Sequence, residues 1–181
     1  MRYFFRRRVP DFARTLLIES GSRHIAENLL PKLYERPSLQ KLDLLTCYAG
    51  LPREFRPQRG SVYRVTDYPG RRQRARLVAE LLANRYAIAV ILCSGEPIMT
   101  KWKWLLAARL PVKILVVNEN ADYFWLDYSN WRIIRHFILF RTGLSGAGAV
   151  ATLGRLLVFP FTVGYLLLYT AIIHLRRKVR A

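Results

Sequence analysis

A long uncharged stretch near the C-terminus limits most strongly what this chain can fold into. Residues 156–173 contain no charged side chain and read LLVFPFTVGYLLLYTAII, close to the ~20 apolar residues that a helix needs to cross a membrane. The preceding residues 142–154 are also uncharged, and four basic residues follow within 176–181. The pattern predicts a transmembrane or membrane-embedded helix over residues 144–175 and a basic tail over 176–181. A buried helix of a soluble core is the alternative.

The charge of the chain is strongly positive and unevenly distributed. Lys and Arg number 30 against 12 Asp and Glu, a formal net charge of +18, and no acidic residue occurs from position 128 onward. Because anionic headgroups attract Lys and Arg beside a membrane, we expect anionic membrane lipids as partners. The basic residues follow no nucleic-acid-binding motif, so we expect no nucleic acid partner. Residues 1–14 form a basic tail without the apolar core of a signal peptide, which predicts a folded domain on the cytoplasmic side of the cell membrane.

Aromatic residues concentrate just before the uncharged stretch. Seven of the 23 aromatic residues lie within residues 123–140, where Arg132 and Arg135 are interleaved with them. Amphipathic aromatic rings mixed with arginines are typical of a membrane–water interface. The segment therefore predicts an aromatic and basic interfacial helix over residues 128–143. The aromatic side chains of an ordinary protein core are the alternative.

Residues 15–127 alternate between short apolar runs and helical patterns. Apolar residues recur at helical spacing from Ile25 and again from Leu77, and Pro97 is placed to open a third helix. Strands separated by helices imply crossover connections and a mainly parallel sheet. The pattern predicts an α/β fold with a Rossmann-like, mainly parallel, doubly wound sheet. Its predicted strands are residues 15–20, 42–49, 61–67, 88–93 and 112–117.

Small and polar residues follow three of these strands at the points where the strands end. In doubly wound sheets ligands bind beyond the carboxyl ends of the strands, so the three turns together predict one binding site. Hydroxyl, amide and carboxylate groups suit a sugar, and a guanidinium suits a phosphate. The predicted ligand-binding residues are Ser20, Gly21, Ser22, Arg23, Ser94, Gly95, Asn118 and Asn120.

Three residues of the same turns carry groups that can accept or deliver a proton, namely His24, Glu96 and Glu119. We predict these three as the catalytic residues. Each also has a structural alternative. Glu96 precedes Pro97 and would then complement a helix start, Glu119 would belong to a polar turn, and His24 would be a hydrogen-bonded surface residue.

The signatures of cofactor and metal sites are missing from the sequence. No GxGxxG loop follows the first predicted strand, and no GxxxxGK[ST] loop occurs. The three histidines are scattered, and Cys47 and Cys93 lie in predicted strands, where a reduced core thiol is the ordinary state. We therefore expect neither a cofactor nor a bound metal.

A series of short motifs marks the order of elements in residues 1–127. An apolar strand and a small-residue turn precede a helix that carries the pair Leu30-Pro31. The phrase Arg85-Tyr86-Ala87-Ile88 then enters a strand, and Ser94-Gly95 forms a small turn before a helix that runs to Leu110. This order resembles the N-terminal, acceptor-side half of the heptosyltransferase-like glycosyltransferases of the GT-B fold.

The resemblance implies a membrane-anchored, glycosyltransferase-like protein that serves envelope glycan or glycolipid synthesis. Its ligand would be a phosphate-bearing lipid or sugar, either a nucleotide-sugar or a lipid-linked sugar. In that family the turn after the first strand carries a Gly-Asp pair whose Asp is the catalytic base, whereas this chain has Gly21-Ser22-Arg23-His24. The predicted membrane segment stands where the family has its donor-binding domain, which implies a partner protein that supplies such a domain.

Whether the chain is itself an enzyme is left open by these residues. The carboxylates and the imidazole of the predicted site favour a catalyst. The missing Asp and the missing donor domain favour the alternative, a non-catalytic, membrane-anchored interaction or scaffold module.

Overall fold

A computed structural model describes residues 4–5, 9–120, 122–141, 154–155 and 157–170 of the chain. The chain divides into two compact units, Met1–Trp131 and Arg132–Ala181. The predicted basic tail 176–181 lies outside the described residues, as do parts of the predicted tail 1–14 and of the predicted membrane helix 144–175.

The first unit is built on a six-stranded sheet in the order β3-β2-β1-β4-β5-β6. The strands are β1 (Arg14–Glu19), β2 (Lys41–Thr46), β3 (Val62–Arg64), β4 (Ile88–Cys93), β5 (Lys113–Asn118) and β6 (Tyr123–Trp125). Strands β1 to β5 pair in parallel, and β6 pairs antiparallel with β5. The predicted α/β fold with a mainly parallel sheet is confirmed, and the strand order is consistent with a Rossmann-like sheet.

Three helices connect the strands, namely α1 (Arg23–Tyr34), α2 (Arg71–Ala83) and α3 (Thr100–Arg109). Helix α1 buries Ile25, Leu30 and other residues at helical spacing against a core that includes Leu17 and Val90. That core contains no residue of α2 or α3. The connection from β1 to β2 runs in one direction along the sheet, and those through α2 and α3 run in the other. Right-handed crossovers therefore place α2 and α3 together on the face opposite α1.

Strand β4 is buried along its whole length, as expected for a central parallel strand covered by helices on both faces. Strand β6 is not among the predicted strands, because the aromatic residues 123–125 are too few to show a strand pattern. The β5–β6 hairpin matters for the site, since it fixes the turn that carries Glu119.

A fourth helix, α4 (Trp131–Arg141), follows a short 3-10 turn at Tyr128–Asn130. These two elements occupy most of the predicted interfacial helix 128–143, whose last two positions lie outside the described residues. Residues 131–141 of that segment are helical, and the interfacial helix stays a prediction. On α4, Ile134 is buried, whereas Ile133, Ile138 and Phe140 are exposed.

Residues 154–155 and 157–170 are helical as well, and large apolar side chains among them, such as Leu157 and Phe161, are exposed. Among the residues that the structure describes, no helix has both the length and the apolar character needed to cross a membrane. Position 156 and positions 171–173 of the predicted apolar stretch are not among them.

Candidate functional site

A cleft opens at the carboxyl end of the sheet between β1 and β4. This is the point where the strand order reverses, because the chain leaves β1 toward β2 and leaves β4 toward β5 on the other side. The two departing connections diverge to opposite faces of the sheet and leave a crevice, which is the usual ligand position in such folds. We call it the switch-point cleft. It has a volume of about 300 Å³ and is lined by Ser22, His24, Ile25, Ser94, Gly95, Glu96 and Glu119.

All three predicted catalytic residues line the switch-point cleft, as do three of the predicted ligand-binding residues, namely Ser22, Ser94 and Gly95. The other five predicted residues do not line the cleft. Some have structural partners of their own and the others lie beside the cleft; the five are Ser20, Gly21, Arg23, Asn118 and Asn120. Sequence reasoning missed Ile25, an apolar side chain in the first turn of α1. The only indication in the sequence was that Ile25 lies three residues after Ser22, the last residue of the turn that follows β1.

Ser20 and Gly21 shape the wall of the cleft. Ser20 is fully buried, and its hydroxyl donates a hydrogen bond to the carbonyl oxygen of Leu92 at 2.7 Å. A methyl group at Gly21 would lie 3.2 Å from Ser94 Oγ and 3.3 Å from Ser94 N. The turns after β1 and β4 therefore approach each other so closely at this point that only glycine fits without displacement.

Arg23 is turned away from the cleft and clamps the β1–α1 turn to the segment after β2. Its Nε lies 3.1 Å from Glu19 Oε1, and its Nη2 donates a hydrogen bond to the carbonyl oxygen of Gly50 at 2.7 Å. The guanidinium also stacks over the ring of Tyr48, 4.7 Å from its centroid. The hydroxyl of Tyr48 donates to the Gly21 carbonyl at 3.2 Å and adds a second tie between the same segments.

Glu19 ends β1 in the turn that the sequence places at the site-forming edge, and the structure gives it a buried, paired carboxylate. Its carboxylate is fully buried at the end of β1, accepts a hydrogen bond from Thr46 Oγ1 at 2.5 Å and pairs with Arg23. Burial raises the pKa of Glu19, while the bonds from Thr46 and Arg23 lower it. The signal in the sequence was an acidic residue ending an otherwise apolar strand, four positions before an arginine.

Asn118 and Asn120 belong to the turn that joins β5 to β6. Asn118 Oδ1 accepts hydrogen bonds from the backbone N–H groups of Asn120 at 3.0 Å and of Asp122 at 2.9 Å. Such an Asx-type arrangement holds a tight turn in place of a backbone carbonyl. Asn118 thus fixes the position of Glu119 rather than contacting the cleft.

Glu119 bridges the turns after β5 and β4. Its Oε2 accepts a hydrogen bond from the backbone N–H of Gly95 at 2.8 Å. The carboxylate is exposed apart from this contact, so a ligand oxygen that enters the cleft can take its place on the Gly95 amide.

Glu96 is not a helix cap. Helix α3 begins at Thr100 instead of Pro97, its preceding residue is Met99, and its first turn has no acidic residue. The prediction that Pro97 opens the helix is therefore wrong. The alternative that Glu96 complements the helix start is wrong for the same reason. Glu96 is exposed and makes no hydrogen bond or ion pair to another described residue. Its charge contributes, after burial and two other groups, to the raised pKa of Tyr48.

His24 lies in the first turn of α1 with an exposed ring. Its Nε2 is 2.9 Å from the side-chain nitrogen of Asn28. This contact holds the ring beside the next turn of α1, and His24 lines the cleft.

The fold and the cleft define an α/β protein with a polar cleft at the switch point of a mainly parallel sheet. Among the described residues, no group of three or more His, Cys, Asp and Glu side chains is placed to hold a metal ion. Comparisons with protein-family models, curated proteins and solved structures gave no match.

Proposed function

We propose that this chain is a membrane-anchored, glycosyltransferase-like protein that binds a sugar-bearing ligand in its switch-point cleft and serves envelope glycan or glycolipid synthesis. The observation that carries the proposal is the convergence of the turns after β1, β4 and β5 on one cleft. This convergence brings hydroxyl, imidazole and carboxylate groups together with one apolar side chain. Few convergent polar groups beside an apolar surface are typical of small-molecule sites.

The charge of the cleft favours the sugar ring over a phosphate as the bound part. Glu96 and Glu119 line the cleft, no Lys or Arg among the described residues does, and Arg23 is paired with Glu19. The N-terminus of α1 contributes about half a positive charge, which is less than the two carboxylates. Carboxylates accept hydrogen bonds from sugar hydroxyls, whereas they repel phosphate. The phosphate of a nucleotide-sugar or a lipid carrier would then lie outside the cleft.

Glu96 is the best candidate for a general base. A base must reach the hydroxyl whose proton it removes, and Glu96 lines the cleft without any hydrogen-bonded partner among the described residues. Glu119 accepts from the Gly95 amide; in its proposed role it gives this amide to a ligand oxygen and turns its carboxylate to accept from a sugar hydroxyl. His24 would contribute a ring nitrogen to the same cleft.

A non-catalytic module with the same cleft is the second candidate. The observation that favours it is the turn after β1, where Ser22 and Arg23 provide no carboxylate and the nearest acid, Glu19, is buried and paired. If the chain is part of an enzyme, a partner protein with a donor-binding domain would complete that enzyme. If the chain is a non-catalytic module, it would recruit that partner protein to the membrane.

The membrane part of the proposal rests on charge and on apolar pattern. The uncharged residues 156–173 and the basic residues around them fit a segment embedded in an anionic membrane, with the α/β domain on the cytoplasmic side. The exposed apolar side chains along 157–170 fit the same location.

Ligand titration of the full chain in lipid nanodiscs tests the cleft. The probes are a lipid-linked monosaccharide, a nucleotide-sugar and inorganic phosphate. Glu96→Gln and Glu119→Gln should each weaken binding of a sugar-bearing probe about tenfold, because each loses one charge-assisted hydrogen bond. Glu54→Gln is the matched control, since Glu54 is exposed and remote from the cleft lining.

The results separate the possibilities. Binding that weakens in both cleft variants, with sugar transfer once a donor domain is supplied, supports the enzyme, and the same weakening without transfer supports the module. Binding that responds equally to the Glu54 control, or tighter binding of inorganic phosphate than of either sugar probe, contradicts the proposed ligand class.

A further inference from the structure

Helix α3 buries one lysine and exposes two large apolar side chains. Lys103 is buried, with 5% of its surface exposed, whereas its neighbours Trp104 and Leu105 are 40% and 39% exposed. A helix that covers a sheet ordinarily turns its apolar residues inward and its charged residues outward. Two adjacent, partly exposed large apolar side chains beside exposed charges form a candidate contact surface.

These exposed residues share one face of the helix. Lys101, Trp104 and Leu105 are spaced at i, i+3 and i+4, and Arg109 follows four positions after Leu105. The opposite face carries the buried residues, among them Leu106. The outward face of α3 is thus an apolar patch with a basic residue at each end.

Helix α2 adds positive charge on the same face of the domain. Its first two turns expose Arg71, Arg72, Arg74 and Arg76, and its first turn contains no acidic residue. Positive charge at a helix N-terminus opposes the helix dipole; Arg74 in addition donates a hydrogen bond to the Pro69 carbonyl at 2.9 Å. A negatively charged partner would offset that repulsion.

The two helices lie together on the face of the sheet opposite α1, because both crossovers run in the same direction and are right-handed. Their exposed residues form what we call the α2–α3 surface. It carries six basic side chains and, on these two helices, one acidic residue, Glu80. Trp104 and Leu105 lie within this basic surface.

We propose that the α2–α3 surface rests on an anionic lipid membrane, with Trp104 and Leu105 at the headgroup level and the arginines on lipid phosphates. This inference rests on the proposed membrane association and adds which face of the domain meets the lipid. Tryptophan is the residue that favours the interface between water and acyl chains. Two apolar side chains among six basic ones match the chemistry of an anionic bilayer surface better than that of an apolar protein interface.

The orientation has a consequence for the switch-point cleft. The segment from Ser94 to Glu96 lines the cleft and leads through Met99 directly into α3. With the α2–α3 surface on the membrane, the cleft opens along the membrane plane, close to the headgroups. A sugar on a lipid carrier would enter it from the side while its phosphate stays at the basic surface.

Fluorescence quenching of the full chain in vesicles tests the proposal. The vesicles contain bromine-labelled acyl chains and are made either of zwitterionic lipid alone or with anionic lipid added. The signal lost in Trp104→Phe isolates the quenching of Trp104, and Trp125→Phe is the control, because Trp125 is half-buried and packs against the α1 core. Trp104 should be quenched in anionic vesicles. Replacing Arg71 by Gln should lower the quenched population about fivefold, as expected for one basic residue at an anionic surface.

The outcomes are distinguishable from those of the proposed function. If the chain sediments with vesicles but Trp104 is not quenched, the α2–α3 surface does not face the lipid. The proposed membrane association is still supported in that case. If the chain does not sediment with either vesicle, the membrane association fails and this proposal with it. If Trp104 is shielded from acrylamide without bromolipid quenching, a protein covers the surface and the lipid assignment is overturned. Leu105→Glu is the second variant, and it should reduce quenching of the intact Trp104 in the same vesicles.

Discussion

Replacing Arg23 by Met should destabilise the α/β domain in a way that depends on pH. The substitution removes two hydrogen bonds, one to the buried carboxylate of Glu19 and one to the Gly50 carbonyl. A hydrogen bond to a charged group contributes about 1.5–3 kcal/mol, and the bond to Gly50, which is exposed to solvent, contributes less, about 1 kcal/mol. Because the Arg23 side chain is 30% exposed, the value for a fully buried ion pair does not apply. We expect a loss of about 2–3 kcal/mol in the free energy of unfolding at neutral pH.

The pH dependence follows from the state of Glu19. Burial raises its pKa above the ordinary value of 4.5, and Arg23 and Thr46 oppose that rise. A carboxyl whose pKa is raised by folding stabilises the folded state fully below its ordinary pKa, and this contribution is lost as the pH rises through the raised value. Without Arg23 the folded-state pKa rises further, so the loss at neutral pH becomes larger. Below pH 4.5 the variant and the wild-type chain should differ by only about 1 kcal/mol, the share of the Gly50 bond.

Urea unfolding of the full chain in detergent micelles, followed by circular dichroism at several pH values, measures the effect. The double variant Glu19→Gln, Arg23→Met is the control, because it removes the buried charge and should recover most of the loss seen at neutral pH. An equal loss in the Arg23→Met variant at neutral and acidic pH would show that Glu19 is not held by Arg23 and would refute the reasoning.

Three further substitutions test other parts of the account. Tyr86→Phe removes the hydroxyl that donates to buried Asp43 at 2.6 Å, so unfolding in urea should show a loss of about 1–3 kcal/mol. Lys113→Met leaves the buried carboxylate of Asp127 without its ion-pair partner at 2.7 Å, and thermal unfolding should reveal a loss of about 3–5 kcal/mol; a loss below that of an exposed pair would contradict the buried geometry. Gly21→Ala should weaken ligand binding in the nanodisc titration by displacing the turn after β4, whereas Gly95→Ala, whose added methyl meets Glu119 at an ordinary 3.5 Å, should change it less.

The central strands were the most predictable part of the fold. The sequence predicted β4 at its observed bounds, because a strand covered on both faces is a continuous apolar run. Edge elements were less predictable. Strand β3 shortens to Val62–Arg64 and continues as a 3-10 turn, and the three-residue β6 exists only through its pairing with β5. Neither feature leaves a periodic signal in so few residues.

The position of the candidate site could be predicted from the sequence, because it follows from the strand topology alone. The turns after β1, β4 and β5 were identified because the carboxyl ends of parallel strands meet at one edge, and six of the predicted residues line the cleft there. The direction of Arg23 was not predictable, since it depends on the Gly50 carbonyl and on the ring of Tyr48, which lie 27 and 25 positions away along the chain. Such contacts arise from the packed fold and leave no local pattern.

Hydrogen–deuterium exchange of the full chain in nanodiscs measures whether the switch-point cleft binds the ligand. With a saturating lipid-linked monosaccharide, we expect simultaneous protection of the backbone amides of three segments, residues 21–25, 94–98 and 119–122. These are the turns that converge on the switch-point cleft, and the Gly95 amide should respond because the ligand replaces Glu119 on it. Protection of one segment alone, or protection confined to other parts of the domain, would contradict the assignment of this cleft as the ligand site.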